Sequence, residues 1–96
     1  MTQEEFLDKL AEVGKKATDI SIHPDGGIRL TYLGHEHCPI TAVYHYTEGL
    51  RFRQDKALEA GCNLGLAPET VLRILDAADD DGAAHTRILL LTALGI

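Results

Sequence analysis

The stretch ISIHPDGGIRLTY, residues 20–32, organises the reading of the whole chain. Ile20 and Ile22 alternate with Ser21 and His23, and Ile28, Leu30 and Tyr32 alternate with Arg29 and Thr31. Alternation of period two on both sides of a turn cluster is the pattern of an antiparallel hairpin. Pro24 presets its own φ, Asp25 tolerates a turn conformation, and Gly26 and Gly27 accept positive φ. A two-stranded ribbon is marginal in water by itself. One face of it is therefore expected to lie on helices.

Helices are expected on both sides of the hairpin. Thr2 and Glu5 form the T-x-x-E capping box, and Phe6, Leu7, Leu10 and Val13 follow at helical spacing, which predicts a helix over 3–14 with Gly14 as its stop. CPITAVYHYTEG, residues 38–49, fits two patterns. As a strand it aligns Ile40, Ala42, Tyr44 and Tyr46; as a helix it starts at Pro39, aligns Ile40, Val43, Tyr44 and Thr47, and ends at Gly49. The positions of Pro39 and Gly49 favour the helix. From residue 54 onward the pattern is helical, with Ala57, Leu58, Ala60 and Leu64 in a first segment. Val71, Leu72, Leu75 and Ala78, with Ile74 beside them, form the stripe of a second. A final helix ends at Gly95. The expectation is one small α+β domain over residues 1–96: an N-terminal helix, a β-hairpin, then three to four short helices.

Composition narrows the function classes. The chain of 96 residues is 45% hydrophobic, with two Phe, three Tyr and no Trp, so aliphatic side chains must build the core. A net charge of −6 disfavours non-specific nucleic-acid binding and permits a basic protein partner. No apolar run is long enough to cross a membrane. The acidic start MTQEEFLDKL has no secretory apolar region, so the chain reads as cytosolic with reduced thiols.

Three constellations could carry chemistry. The first is LGHEHCPITAVYHY, residues 33–46, which holds His35, His37, Cys38 and His45. On a strand His35 and His37 point to one side, a metal-ligand spacing, and His45 or Cys62 could complete a tetrahedral set. Against this, Cys38 has no C-x-x-C partner and the spacing matches no zinc module. The expectation is a polar loop joining hairpin to helix, with Cys38 a small buried hydrophobe, and no metal or other cofactor. If a metal does bind, His35, His37, Cys38 and His45 are the ligands on offer. No orienting motif or oxyanion loop accompanies either cysteine, so the chain is not expected to be an enzyme.

The second constellation is EAGCNLGLAPETVLRIL, residues 59–75, which resembles a helix-turn-helix segment. Gly65 occupies the turn glycine's place and Leu66 the apolar residue after it, while Gly61 stands where that family usually has Ala. A DNA-reading helix carries basic and amide side chains. Here it offers Arg73, then Asp76, Asp79, Asp80 and Asp81, so nucleic acid is not the expected partner. The third, DAADDDG, places Ala77 and Ile88 where a calcium loop needs oxygen ligands, and it reads as a solvated acidic cluster. In the last helix Ile88, Leu90, Leu91 and Leu94 spread over one broad side, with Leu89 and Ala93 nearly opposite. Leu89 and Ala93, with Asp79, Asp80 and Asp81, are the expected interaction residues, and the helix could join two copies of the chain.

The segments EEFLDKL, PDGGIRL, CPITAV, LGLAPETVLRILDAAD and RILLLTALGI follow one another through most of the chain. In that order they resemble a group of small uncharacterised proteins of phages and prophages. The resemblance implies a phage-type accessory protein of the host cytosol and supplies no catalytic residues. It also implies that Cys38, in CPI, is a packed thiol, and it does not include His35, His37 or His45. The expected function is non-enzymatic, through protein–protein interaction, by analogy as an inhibitor of a host protein or defence system. The alternatives are a DNA-binding regulator using residues 54–78 and a metal-binding module.

Overall fold

The computed structural model describes residues 1–80 and 82–96. The chain runs α1 (Gln3–Lys16), β1 (Asp19–Ile22), β2 (Ile28–Tyr32), β3 (His35–His37), α2 (Pro39–Glu48), a 3-10 turn (Gln54–Lys56), α3 (Ala57–Asn63), α4 (Pro68–Asp79) and α5 (Ala84–Ala93). This is an α+β fold with an antiparallel sheet in the order β1-β2-β3.

The capping box of α1 is formed in both directions: Glu5 N donates to Thr2 Oγ1 at 3.1 Å and Thr2 N donates to Glu5 Oε1 at 2.9 Å. Phe6, Leu10 and Val13 are fully buried along one stripe. The helix runs past Gly14 to Lys16. Gly14 is therefore not the stop; it lies inside the helix, where a Cβ would stand 3.0 Å from Leu94 Cδ2 just beyond α5. Lys15 and Lys16 then sit at the negative helix end, where cations are favoured.

The hairpin forms in the expected place, with Ile20 opposite Leu30 and Ile22 opposite Ile28. Gly26 N donates to His23 O at 2.8 Å, Gly27 N donates to Asp25 Oδ1 at 2.9 Å, and Gly26 has φ +96. Ile28 and Leu30 are fully buried under the helices, while β1, at the sheet edge, is only partly covered.

A third strand replaces the polar loop expected after residue 32. Leu33 and Gly34 have φ of 49° and 81°, the two-residue turn that reverses a strand onto its neighbour. Tyr32 therefore pairs with His35 and Leu30 with His37. The turn was hard to read because its first position is usually Asn, Asp or Gly. Leu in the left-handed region costs about 1–2 kcal/mol, and Leu33 is 65% exposed, so its side chain gives little back. Leu33→Asn should therefore raise stability by about 0.5–1 kcal/mol, read as a higher urea midpoint at unchanged slope. An unchanged or lower midpoint would show that Leu33 is held by packing.

Residues 39–48 are helical, with Pro39 in the first turn and Gly49 closing the helix at φ +74. The burial is not the single expected face. Ile40, Thr41, Ala42, Val43 and His45 are all buried and Thr47 is exposed, because α2 touches α1, α3, α4, β2 and β3. Five neighbours leave its first turns no solvent side.

The α4 stripe is also corrected. Val71, Ile74, Ala77 and Ala78 are buried, Leu75 is half-buried, and Leu72 is 55% exposed. The glycine at position 61 is explained by the same packing. A Cβ there would fall 2.6 Å and 2.8 Å from the two γ-carbons of Val71, so α3 crosses α4 too closely for Ala. Gly61→Ala should cost about 1–3 kcal/mol through overpacking. Combined with Val71→Ala it should cost less than the sum of the two single changes. Additive costs in chemical denaturation would mean that the contact is not the cause.

In α5 the buried residues are Thr86 and Leu90, with Leu94 just beyond, while Leu91, Leu89 and Ala93 are half-buried and Ile88 is 61% exposed. The broad apolar side expected to include Ile88 is thus a narrow stripe, since α5 rests chiefly on α1 and α4. Leu90 is the core residue of this helix. Arg87 beside it donates to Ala77 O at 2.9 Å, Asp80 O at 3.1 Å and Gly26 O at 2.7 Å.

Candidate functional site

The residues richest in chemistry meet where β3 runs into α2. Pro39 starts the helix directly after the strand, so the first turns of α2 fold back against β3. Thr41 and His45 are four apart and share a helix face. That face meets His37, which is 1% exposed. His37 Nδ1 lies 3.2 Å from Thr41 Oγ1, and His37 Nε2 lies 3.2 Å from His45 Nδ1. Tyr32 and His45 meet edge to face, with 5.2 Å between ring centres. His35 lies 6.3 Å from His37 and 6.4 Å from His45 by the same measure. Glu36, between the two β3 histidines, is exposed and 3.7 Å from His23. Strand alternation sends its carboxylate away from the three rings.

Gln54 closes the far side of the network. Cys38 N donates to Gln54 Oε1 at 2.9 Å, and the Thr41 hydroxyl reaches Gln54 Oε1 at 3.4 Å and Cys38 O at 3.3 Å. The single Thr41 proton is thus offered two carbonyl acceptors and His37 Nδ1, and the hydroxyl ties the His37 ring to Cys38 and Gln54. Between two neutral, singly protonated rings, one of His37 Nε2 and His45 Nδ1 donates and the other accepts. Burial first, then the nearby His45, Arg51 and His35, pushes the His37 imidazole down to about 4. His45 is lowered too, by burial first and then by His35 and Arg51.

The structure therefore clusters three of the four sequence candidates, the histidines, and joins the fourth, Cys38, to them through the Thr41 hydroxyl. Cys38 is buried with its Sγ 3.5 Å from Thr41 Oγ1, at the Nδ1 end of His37 and across the ring from the histidine bridge. Cys62 is exposed on α3. Among the described residues no three His, Cys, Asp or Glu side chains stand in metal-ligating geometry. Thr41 and Gln54, which tie His37 into the hydrogen-bond network, carry no sequence signal, because their role depends on contacts between elements.

Two other surfaces flank this junction. In the segment after α2, Phe52 stacks on Tyr44 at 4.9 Å between ring centres. Two shallow clefts of about 340 Å³ and 330 Å³ lie there, both lined by Arg51, Phe52 and Arg53. On α4, Glu69, Leu72, Arg73, Asp76 and Asp79 are exposed, followed by exposed Asp80, whose Oδ1 accepts from Gly82 N at 2.7 Å. Asp81 lies outside the described residues. No helix among the described residues is long and apolar enough to cross a membrane. No family model matches the chain, and no curated protein or solved structure shows significant similarity to it.

Proposed function

We propose that the protein acts by binding another protein, without catalysing a reaction, through the outward face of α4. The observation that carries this reading is Leu72, 55% exposed on a face that also presents Glu69, Asp76 and Asp79, with Arg73 its one cation. An exposed leucine ringed by carboxylates complements a partner with an apolar pocket in a basic surface. In keeping with the resemblance to phage accessory proteins, the partner is read as a bacterial host protein, and inhibition of it as the outcome. A DNA-binding reading is favoured by one feature: α3 and α4 are joined through Gly65 at φ +90, as a helix-turn-helix requires. The charge of the exposed α4 face opposes that reading, since each phosphate contact needs a cation.

The test compares nuclease-treated pull-downs from a bacterial lysate using the wild type and an Asp76→Lys/Asp79→Lys variant, both checked by circular dichroism. A discrete protein retained by the wild type and lost by the folded variant supports the reading. Equal retention by both, or recovery of DNA that nuclease abolishes, overturns it.

A further inference from the structure

The chain carries nine Lys and Arg against fifteen Asp and Glu, yet three of those cations, Arg51, Arg53 and Lys56, fall within six residues. Arg53 is committed: its guanidinium grips Asp55 through two bonds, at 3.2 Å and 2.9 Å. Elsewhere Arg29 and Arg87 are spent on backbone carbonyls. Arg51 is exposed and makes no hydrogen bond or ion pair with the described residues. The segment that bears it is nonetheless fixed at two points. Phe52 is held against Tyr44, and Gln54 Oε1 is held by Cys38 N and Thr41 Oγ1. Anchoring the oxygen of Gln54 fixes the plane of its amide and leaves its NH2 group as an oriented donor. Arg51, Gln54 and Phe52 line one cleft of about 340 Å³, with Arg53 and Asp55 on its wall, within the size range of small-ligand sites.

We infer that this cleft is a binding site for a phosphate-type oxyanion, with Arg51 as its principal ligand and the Gln54 amide as a second donor. A guanidinium presents five donors in a planar fork suited to two phosphate oxygens at once. No carboxylate among the described residues pairs with it; Glu59, which lines the adjoining cleft with Lys56, makes no ion pair to Arg51. After burial, Arg51 is among the charges that depress proton binding at both His37 and His45, so its guanidinium lies within electrostatic reach of both rings. The one acidic side chain of the cleft, Asp55, is already neutralised by Arg53. A bound oxyanion supplies negative charge beside Arg51, and His37 and His45, the two rings that Arg51 acts on, then report on occupancy, because a nearby anion favours their protonated forms. This site is separate from the α4 face and stands whether or not that face binds a protein.

The test is a titration with inorganic phosphate at constant ionic strength and about pH 7, followed by NMR of the backbone amides and histidine rings. Shifts confined to residues 51–54 and to His37 and His45 are expected, with a dissociation constant of about 1 mM. Arg51→Ala, at an exposed position, should weaken binding about tenfold or more, while Arg73→Ala on α4 should not change it. Three results would overturn the inference: an equal response in Arg51→Ala, shifts scattered over the surface, or the same shifts with chloride. Acetate binding as well as phosphate would overturn the choice of ligand class.

Discussion

Replacing Arg87 with Met is expected to destabilise the protein by about 3 kcal/mol, because hydrogen bonds from a charged donor contribute about 1.5–3 kcal/mol and several are lost at once. The guanidinium joins three carbonyls from three parts of the chain: Ala77 inside α4, Asp80 just beyond it, and Gly26 in the hairpin turn. The last turn of α4 has no basic residue of its own, so Arg87, reaching across from α5, supplies the cation for its negative end. The hairpin turn is close enough to be gripped because position 26 is glycine. A Cβ there would come within 3.1 Å of Asp79 O. Arg87→Lys should recover only part of the loss, since an ammonium cannot span the three acceptors as a planar fork does. Urea denaturation against Arg73→Met, a change on an exposed face, provides the comparison. Equal midpoints for the two Met variants would show that Arg87 is not a clamp.

Acid should remove a comparable amount of stability through His37. An imidazole near its ordinary value of 6.5 in the unfolded chain and about 4 in the folded protein favours the folded state by about 3 kcal/mol at neutral pH. The sign follows from proton counting. The unfolded chain takes up the proton first, so this contribution is complete above about pH 6.5, declines as pH falls, and is gone below about pH 4. His45, also lowered, adds a loss in the same direction. The first cause is burial, which penalises the charged ring. A second proton on both rings would set two N–H groups against each other across the 3.2 Å bridge. The surrounding charges, Arg51 and His35, repel that proton as well. Carboxylates titrate in the same range, so the decisive quantity is the difference in slope between the wild type and His37→Gln over pH 4–6.5. Parallel slopes would mean that His37 binds its proton freely in the folded state.

The two halves of the candidate site were unequally legible. The H-x-H pair announces two rings on one side of a strand, but only if residues 35–37 form a strand. That depended on Leu33 entering a backbone region that Leu rarely occupies. His45 sits eight residues after His37 in a segment whose helical and strand patterns competed. Its approach to His37 required both the turn at Leu33-Gly34 and the helix start at Pro39. The acidic face of α4 was legible as charge, while Leu72 was read into the wrong stripe because helical spacing alone allows either side. Arg87 and Gln54 look like ordinary surface residues in one dimension. Their partners lie as many as 61 residues away for Arg87 and 16 for Gln54.

Sequence alone determined what local physics controls: the capping box that starts α1, the PDGG hairpin and the α+β class. Each of these depends on torsions and hydrogen bonds within a few residues, and neighbouring residues set them directly. Only the tertiary structure decided which face of each helix is buried, why Gly61 must be glycine, and which polar groups meet. Those outcomes depend on how closely elements approach and on what covers them. A helix such as α2, enclosed by five neighbours, buries positions that periodicity assigns to solvent, and α5, resting chiefly on two, leaves apolar positions exposed. Burial and buried polar pairing are properties of the packed assembly of elements, and a single element's pattern does not contain them.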